Sequence, residues 1–212
     1  MSDNRLFKKG SIAKLLEVLK GKNAKFLAPV GKNGGVYISE IKAPEEISFE
    51  HIQTDLSAKS VVFPQTEEIL NYTFEEKDVT MNDRDLDSLP ETVVFGIRPC
   101  EAASFGLLNS IFNWDTEDIF FKKRLEKTTV ITIGCKKADD FCFCTSVNMS
   151  PGSAVGSDIF LTEFKDGEYL AEILTEKGKM LVAMAGDIFG AAPAGVKKED
   201  HLAKVPVKFD IS

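Results

Sequence analysis

The chemistry in this chain starts with its four cysteines, Cys100, Cys135, Cys142 and Cys144, spaced Cys-x34-Cys-x6-Cys-x-Cys. Four soft thiolates gathered on one centre suit an iron–sulfur cluster or a structural zinc ion. The spacing matches neither common run, because zinc sites usually pair cysteines as Cys-x2–4-Cys and ferredoxins use Cys-x2-Cys-x2-Cys-x3-Cys. A redox-active dithiol would lack its usual Cys-x-x-Cys, and inert buried thiols are a fourth reading. The two histidines, His51 and His201, are far from each other and from the cysteines in sequence, and read as ordinary surface or structural residues.

The elements around the cysteines are the best organised part of the chain. Thr92-Val93-Val94-Phe95-Gly96-Ile97 is a continuous apolar run, as expected of a strand covered on both faces. It leads through Arg98-Pro99 to Cys100, where Glu101 to Phe112 reads as a helix whose N-terminal dipole would favour a thiolate. A helix over 118–127 precedes a second β-branched strand, Thr128 to Ile133, which ends at Gly134-Cys135. Two cysteines thus follow the carboxyl ends of strands, where α/β folds gather ligand sites. Cys142 and Cys144 would share a face if their segment is extended.

Elsewhere, Ser11 is expected to cap a helix to Lys20 with Ile12, Leu15, Leu16 and Leu19 inward. Lys25 to Val30 reads as a strand that Pro29 places at an edge or a strand end, with a glycine turn and Val36 to Ile41 completing a hairpin. The turn, Gly31 to Gly35, lacks the ending and following helix of a phosphate loop. Ser60 to Phe63 reads as a short strand, Thr66 as the cap of a short helix carrying Ile69 and Leu70, and 82–87 as an acidic loop. Asp158 to Glu163 and Tyr169 to Leu174 form a hairpin, and a helix spans 175–185. The fold expected is α/β, a mixed sheet with flanking helices and cluster-binding loops at one sheet edge. Residues 1–212 are read as one domain.

With 26 basic and 33 acidic residues the net charge is −7, which opposes general nucleic-acid binding. No apolar run approaches the ~20 residues of a membrane span, and no secretory signal is visible at the N-terminus. A cytoplasmic location without structural disulfides is therefore expected.

Phe95-Gly96-Ile97-Arg98-Pro99-Cys100-Glu101 resembles the Gly-Val-Arg-Pro-Cys-Asp segment of a family of iron–sulfur electron-transfer subunits. That family includes the β subunit of cytosolic nickel–iron hydrogenases (sulfhydrogenases) and the corresponding iron–sulfur subunit of anaerobic sulfite reductase. Phe63-Pro64-Gln65, Ile133-Gly134-Cys135, Cys142-Phe143-Cys144-Thr145-Ser146 and the Lys25–Val30 strand are similar to other family segments. The resemblance implies that Cys100, Cys135, Cys142 and Cys144 ligate one [4Fe–4S] cluster in an anaerobic oxidoreductase complex. It implies a one-electron relay subunit, with no substrate chemistry of its own and other redox subunits as partners in a hetero-oligomer. Family members continue into a ferredoxin-like module with further cysteine-rich runs, which 1–212 does not contain, so another chain is expected to supply that role. Beside such a cluster, Arg98 would offset negative charge and the Thr145 and Ser146 hydroxyls would hydrogen-bond sulfurs. Arg98 could instead pair with Glu101. The alternative from another class is a zinc-stabilised scaffold or interaction module of a multisubunit complex.

Overall fold

The computed structural model describes residues 3–210. Ten strands run in chain order: β1 Asp3–Lys8, β2 Lys25–Lys32, β3 Gly35–Glu40, β4 Leu70–Glu75, β5 Asp78–Asp83, β6 Thr92–Ile97, β7 Thr128–Ile133, β8 Ile159–Lys165, β9 Glu168–Ile173 and β10 Phe189–Ala191. The four α-helices are α1 Ile12–Gly21, α2 Pro99–Phe112, α3 Ile119–Glu126 and α4 Glu176–Ala185. Eight strands form one mixed sheet in the order β10-β1-β9-β8-β7-β6-β2-β3, while β4 and β5 pair only with each other. β2, β6, β7 and β8 are parallel at its centre, and antiparallel hairpins complete both sides. The expected α/β class is borne out.

Alternation along the central strands feeds two cores. Val93 and Phe95 pack with Ile12, Leu15 and Leu19 of α1 and Leu181 of α4. Val94 and Val130 pack on the opposite face against Ala102 and Phe105 of α2 and Phe121 of α3. Gly96 interrupts the pattern: at φ +79° it carries a register shift between Phe95 and Ile97, so Ile97 joins Val94 rather than Phe95. A β-bulge of this kind bends the strand where it leaves the sheet, and here that is two residues before Arg98.

Several local expectations are corrected. Ser11 closes a 3-10 turn, Lys9–Ser11, and its side chain makes no cap bond, although the buried stripe of α1 is as expected. β2 lies inside the sheet. Pro29 is tolerated because the β6 ladder ends at Leu27, so no partner needs its missing N–H on that side. Ser60 to Phe63 is not a strand. Ala58–Val61 forms a 3-10 turn capped by Ser57, and Val62 is buried beside α2. No helix follows Thr66; the chain runs instead into the β4–β5 ribbon, all of whose residues are exposed.

Candidate functional site

Cys100 is the second residue of α2, directly after the strand that Gly96 bends. Cys135 follows β7 and Gly134, held by Cys135 N–H donating to Pro151 O at 3.1 Å and Ala203 N–H donating to Cys135 O at 2.7 Å. Cys142 and Cys144 come from the loop between β7 and β8. That segment is not extended as expected: Asp139 Oδ1 accepts from the N–H groups of Phe141 (2.9 Å) and Cys142 (3.0 Å), and Cys144–Val147 is a 3-10 turn. The side-chain carboxylate of Asp139 thus sets the turn, while its backbone N–H points at Cys142 Sγ from 3.5 Å.

The loop returns to α2 through Gly156. At φ +78°, this residue presses so close that an added Cβ would lie 2.1 Å from Ala102 O. Only glycine meets both demands. The contact fastens the Cys142–Cys144 loop to the first turn of α2, the turn that carries Cys100.

All four cysteines line one partly open cavity of about 280 Å³, with Arg98, Glu101, Phe141 and Phe143 also in its wall. That is the space of roughly nine liquid waters at ~30 Å³ each. Among the described residues, no three His, Cys, Asp or Glu side chains converge as the ligands of a single ion would. All four thiols are free. Burial pushes the Cys135 thiol up to about 12, opposed by Arg98 and reinforced by the other three cysteines. Burial also raises Cys100, with Glu101 adding to the shift, and raises Cys144, with Cys142 adding to it. These are the reverse of an activated nucleophile, whose pKa is depressed. Deprotonating them together requires positive charge in the cavity.

Arg98, buried in the cavity wall, is one source of that charge. It is 7% exposed, its Nη2 donates to Phe49 O at 3.1 Å and to His51 O, and its Nε is buried without a partner. The Arg98–Glu101 pair weighed from the sequence is not formed. Glu101 Oε1 accepts from Thr54 Oγ1 at 2.8 Å and Ala58 N–H at 3.1 Å, tying the 51–58 loop to α2. His51 is buried; its Nδ1–H donates to Ser48 O at 2.7 Å, and burial beside Arg98 lowers its pKa to about 4.

Thr145 and Ser146 do not line the cavity. Thr145 Oγ1 donates to Pro206 O at 3.0 Å, and Ser146 Oγ accepts from Lys208 N–H at 2.8 Å. They hold a C-terminal segment that sequence reasoning missed. Leu202 fills notches that side chains at Gly134 and Gly152 would occupy, Val205 reaches the cavity wall, and Phe209 lies 5.9 Å from Phe143 between ring centres. Phe49 and His51 were also missed as site builders, because they act through main-chain carbonyls that any residue type supplies.

No described helix is long and apolar enough to cross a membrane. No protein-family model matches the chain. It is 26% identical over 161 residues to sulfhydrogenase 2 subunit beta of Pyrococcus furiosus, a stretch covering 76% of this chain and 46% of that protein. The chain therefore spans about half the length of the curated relative it matches. Over three quarters of its own length it is sulfhydrogenase-β-subunit-like, which bears out the resemblance drawn from its sequence.

Proposed function

We propose that this chain is a single-[4Fe–4S] electron-transfer subunit of an anaerobic, hydrogenase- or sulfur/sulfite-reductase-like oxidoreductase complex, with Cys100, Cys135, Cys142 and Cys144 as ligands. The observation that carries the reading is that every cysteine of the chain, drawn from three separate segments, faces one cavity at the carboxyl ends of β6 and β7. Similarity to a protein named as a sulfhydrogenase subunit supports the redox role and the partnership.

The residues fit such a group. The cavity is larger than one ion needs, its donors are soft thiols, and a cation stands behind them. When bound, the cluster supplies one-electron exchange. The chain supplies the rest. Arg98 stays charged against burial and offsets the charge of the thiolates, and the Asp139 N–H orients Cys142 Sγ. Thr145 and Ser146 act on the site through the segment they fasten, which narrows the access of water. Phe141, 79% exposed, and the exposed Phe143 make this rim the docking face for a redox partner. Short distance to the surface is what a relay requires.

Anaerobically purified protein should be brown and contain about four iron and four acid-labile sulfide per chain. One zinc and no sulfide would overturn the reading in favour of a zinc-stabilised scaffold.

A further inference from the structure

The β4–β5 ribbon plays no part in the cysteine site. Its cross-strand pairs are Tyr72 with Met81, Phe74 with Val79 and Leu70 with Asp83 on one face, and Asn71 with Asn82, Thr73 with Thr80 and Glu75 with Asp78 on the other. One face is therefore apolar and the other polar. Tyr72, Phe74, Val79 and Met81 each keep more than half of their surface exposed. A free two-stranded ribbon is marginal in water and gains little by showing such a face to solvent.

Its base, by contrast, is fixed. Glu67 is bound by both Arg84 and Arg124, Arg84 Nη1 also donates to Glu68 O at 3.0 Å, and Arg84 N–H donates to Ile69 O at 3.2 Å. Arg84 shares a cavity with Lys25, Thr92 and Thr128, the first residues of β2, β6 and β7. The ribbon thus projects from the amino ends of the strands whose carboxyl ends carry the cysteines, roughly 20 Å of strand away.

Charge selects the occupant. Over 67–87, eight Asp and Glu residues stand against Lys77 and Arg84. Asp83 beside the apolar residues, Glu76 in the turn, and Glu75 and Asp78 at the turn end of the polar face form no ion pair among the described residues. A second copy would bring two acidic rims together, and nucleic acid or an anionic lipid surface would be repelled. We propose that the ribbon is a docking arm for a partner polypeptide presenting an apolar groove rimmed by Lys and Arg. This goes beyond the electron-transfer reading and does not rest on the cluster.

The test uses the full chain, tagged and isolated anaerobically from its source organism with the subunits it holds, then treated with a carbodiimide that joins carboxylates to amines. The expected result is coupling of Glu75, Glu76 or Asp78 to lysines of a different polypeptide, located by mass spectrometry. The variant Tyr72→Thr/Phe74→Thr/Met81→Thr keeps strand-forming residues, and should lose that polypeptide while its melting temperature is unchanged. Glu75→Lys/Glu76→Lys/Asp78→Lys should lose it as well. Coupling confined to copies of this chain overturns the proposal, as does retention of the same polypeptide by the triple threonine variant or isolation of the chain alone. A fall in melting temperature together with loss of the partner also overturns it, because the face would then serve the fold. None of these readouts uses metal, so absence of iron would defeat the cluster reading and leave this one standing.

Discussion

At the carboxyl ends of β6 and β7, four thiols and a guanidinium are enclosed by the 49–58 loop, the β7–β8 loop and the 202–209 segment. At the amino ends of the same strands, the β4–β5 ribbon leaves aromatic and aliphatic side chains uncovered, flanked by carboxylates that form no ion pair among the described residues. The first region places polar and ionisable groups where water is scarce and holds them with backbone hydrogen bonds. The second puts apolar groups where water is plentiful and holds only its base. Burying a charge without partners and exposing apolar surface both cost free energy, so each end is incomplete in its own way. On the two proposals above, a cofactor would complete the first and a partner's surface the second.

The sharpest way to separate the ends is to remove a thiol. Cys142→Ser should lose most of the cluster or leave an oxygen-labile remnant, since a hard alkoxide replaces a soft thiolate poorly. Ribbon-dependent association should survive, and a full complement of iron in this variant would show that Cys142 is not a ligand. Arg98→Ala should be gentler: the cluster assembles, and its reduction potential falls because a cation favouring the more negative reduced state is gone. An unchanged potential in a redox titration would leave Arg98 only its role of holding the 49–51 carbonyls.

Gly156→Ala breaks the cysteine end through the backbone. A methyl group 2.1 Å from Ala102 O, at φ +78°, cannot be accommodated in place, and stability should fall by about 2–4 kcal/mol in denaturant titration. His51 gives a pH signature to the same end. Its folded pKa of about 4 lies below the ordinary 6.5, so protonation favours the unfolded chain. The stabilisation is complete above pH ~6.5 and is lost as pH falls toward 4, by at most about 3 kcal/mol. His51→Asn, which retains a donor for Ser48 O, should flatten that profile.

The smallest effect belongs to the ribbon. Glu76 turns the chain at φ +54°, a conformation that costs a residue with a side chain roughly 1 kcal/mol. Glu76→Gly should slow hydrogen exchange of the β4 and β5 amides and leave exchange around Cys135 unchanged. Altered protection at both ends would mean that the two regions are coupled.

The two regions also differ in how far they were legible as sequence. Val93 to Ile97 reads correctly because a doubly covered strand is a continuous apolar run; the helix after it was read from Glu101 and begins two residues earlier, with Pro99 at its first position. The ribbon does not read, because its turn is Glu76-Lys77 with none of the glycine signals of a tight hairpin. Its apolar residues alternate with Asn, Thr and Glu that face solvent equally, so burial gives the pattern no anchor. Around the cysteines, what escaped was contributed by carbonyls, as at Phe49 and His51, or by shape, as at Gly134, Gly152 and Gly156. A carbonyl leaves no residue-type signature, and a glycine does not by itself say which close contact it permits.

The strap formed by Leu202, Ala203 and Val205 has a consequence in time. The Thr145–Pro206 bond joins residues 61 positions apart, so at ~5–20 residues per second of synthesis the second partner emerges roughly 3–12 s after the first. All four cysteines have left the ribosome before the segment that completes the cavity wall exists. Until that segment is made, whatever enters among the cysteine-bearing segments has no strap to displace. Afterwards, insertion requires undoing the Ala203–Cys135 bond and lifting Leu202 from its glycine notches. Loading while the chain is still growing and loading the finished protein are therefore different kinetic problems, and the second should be the slower.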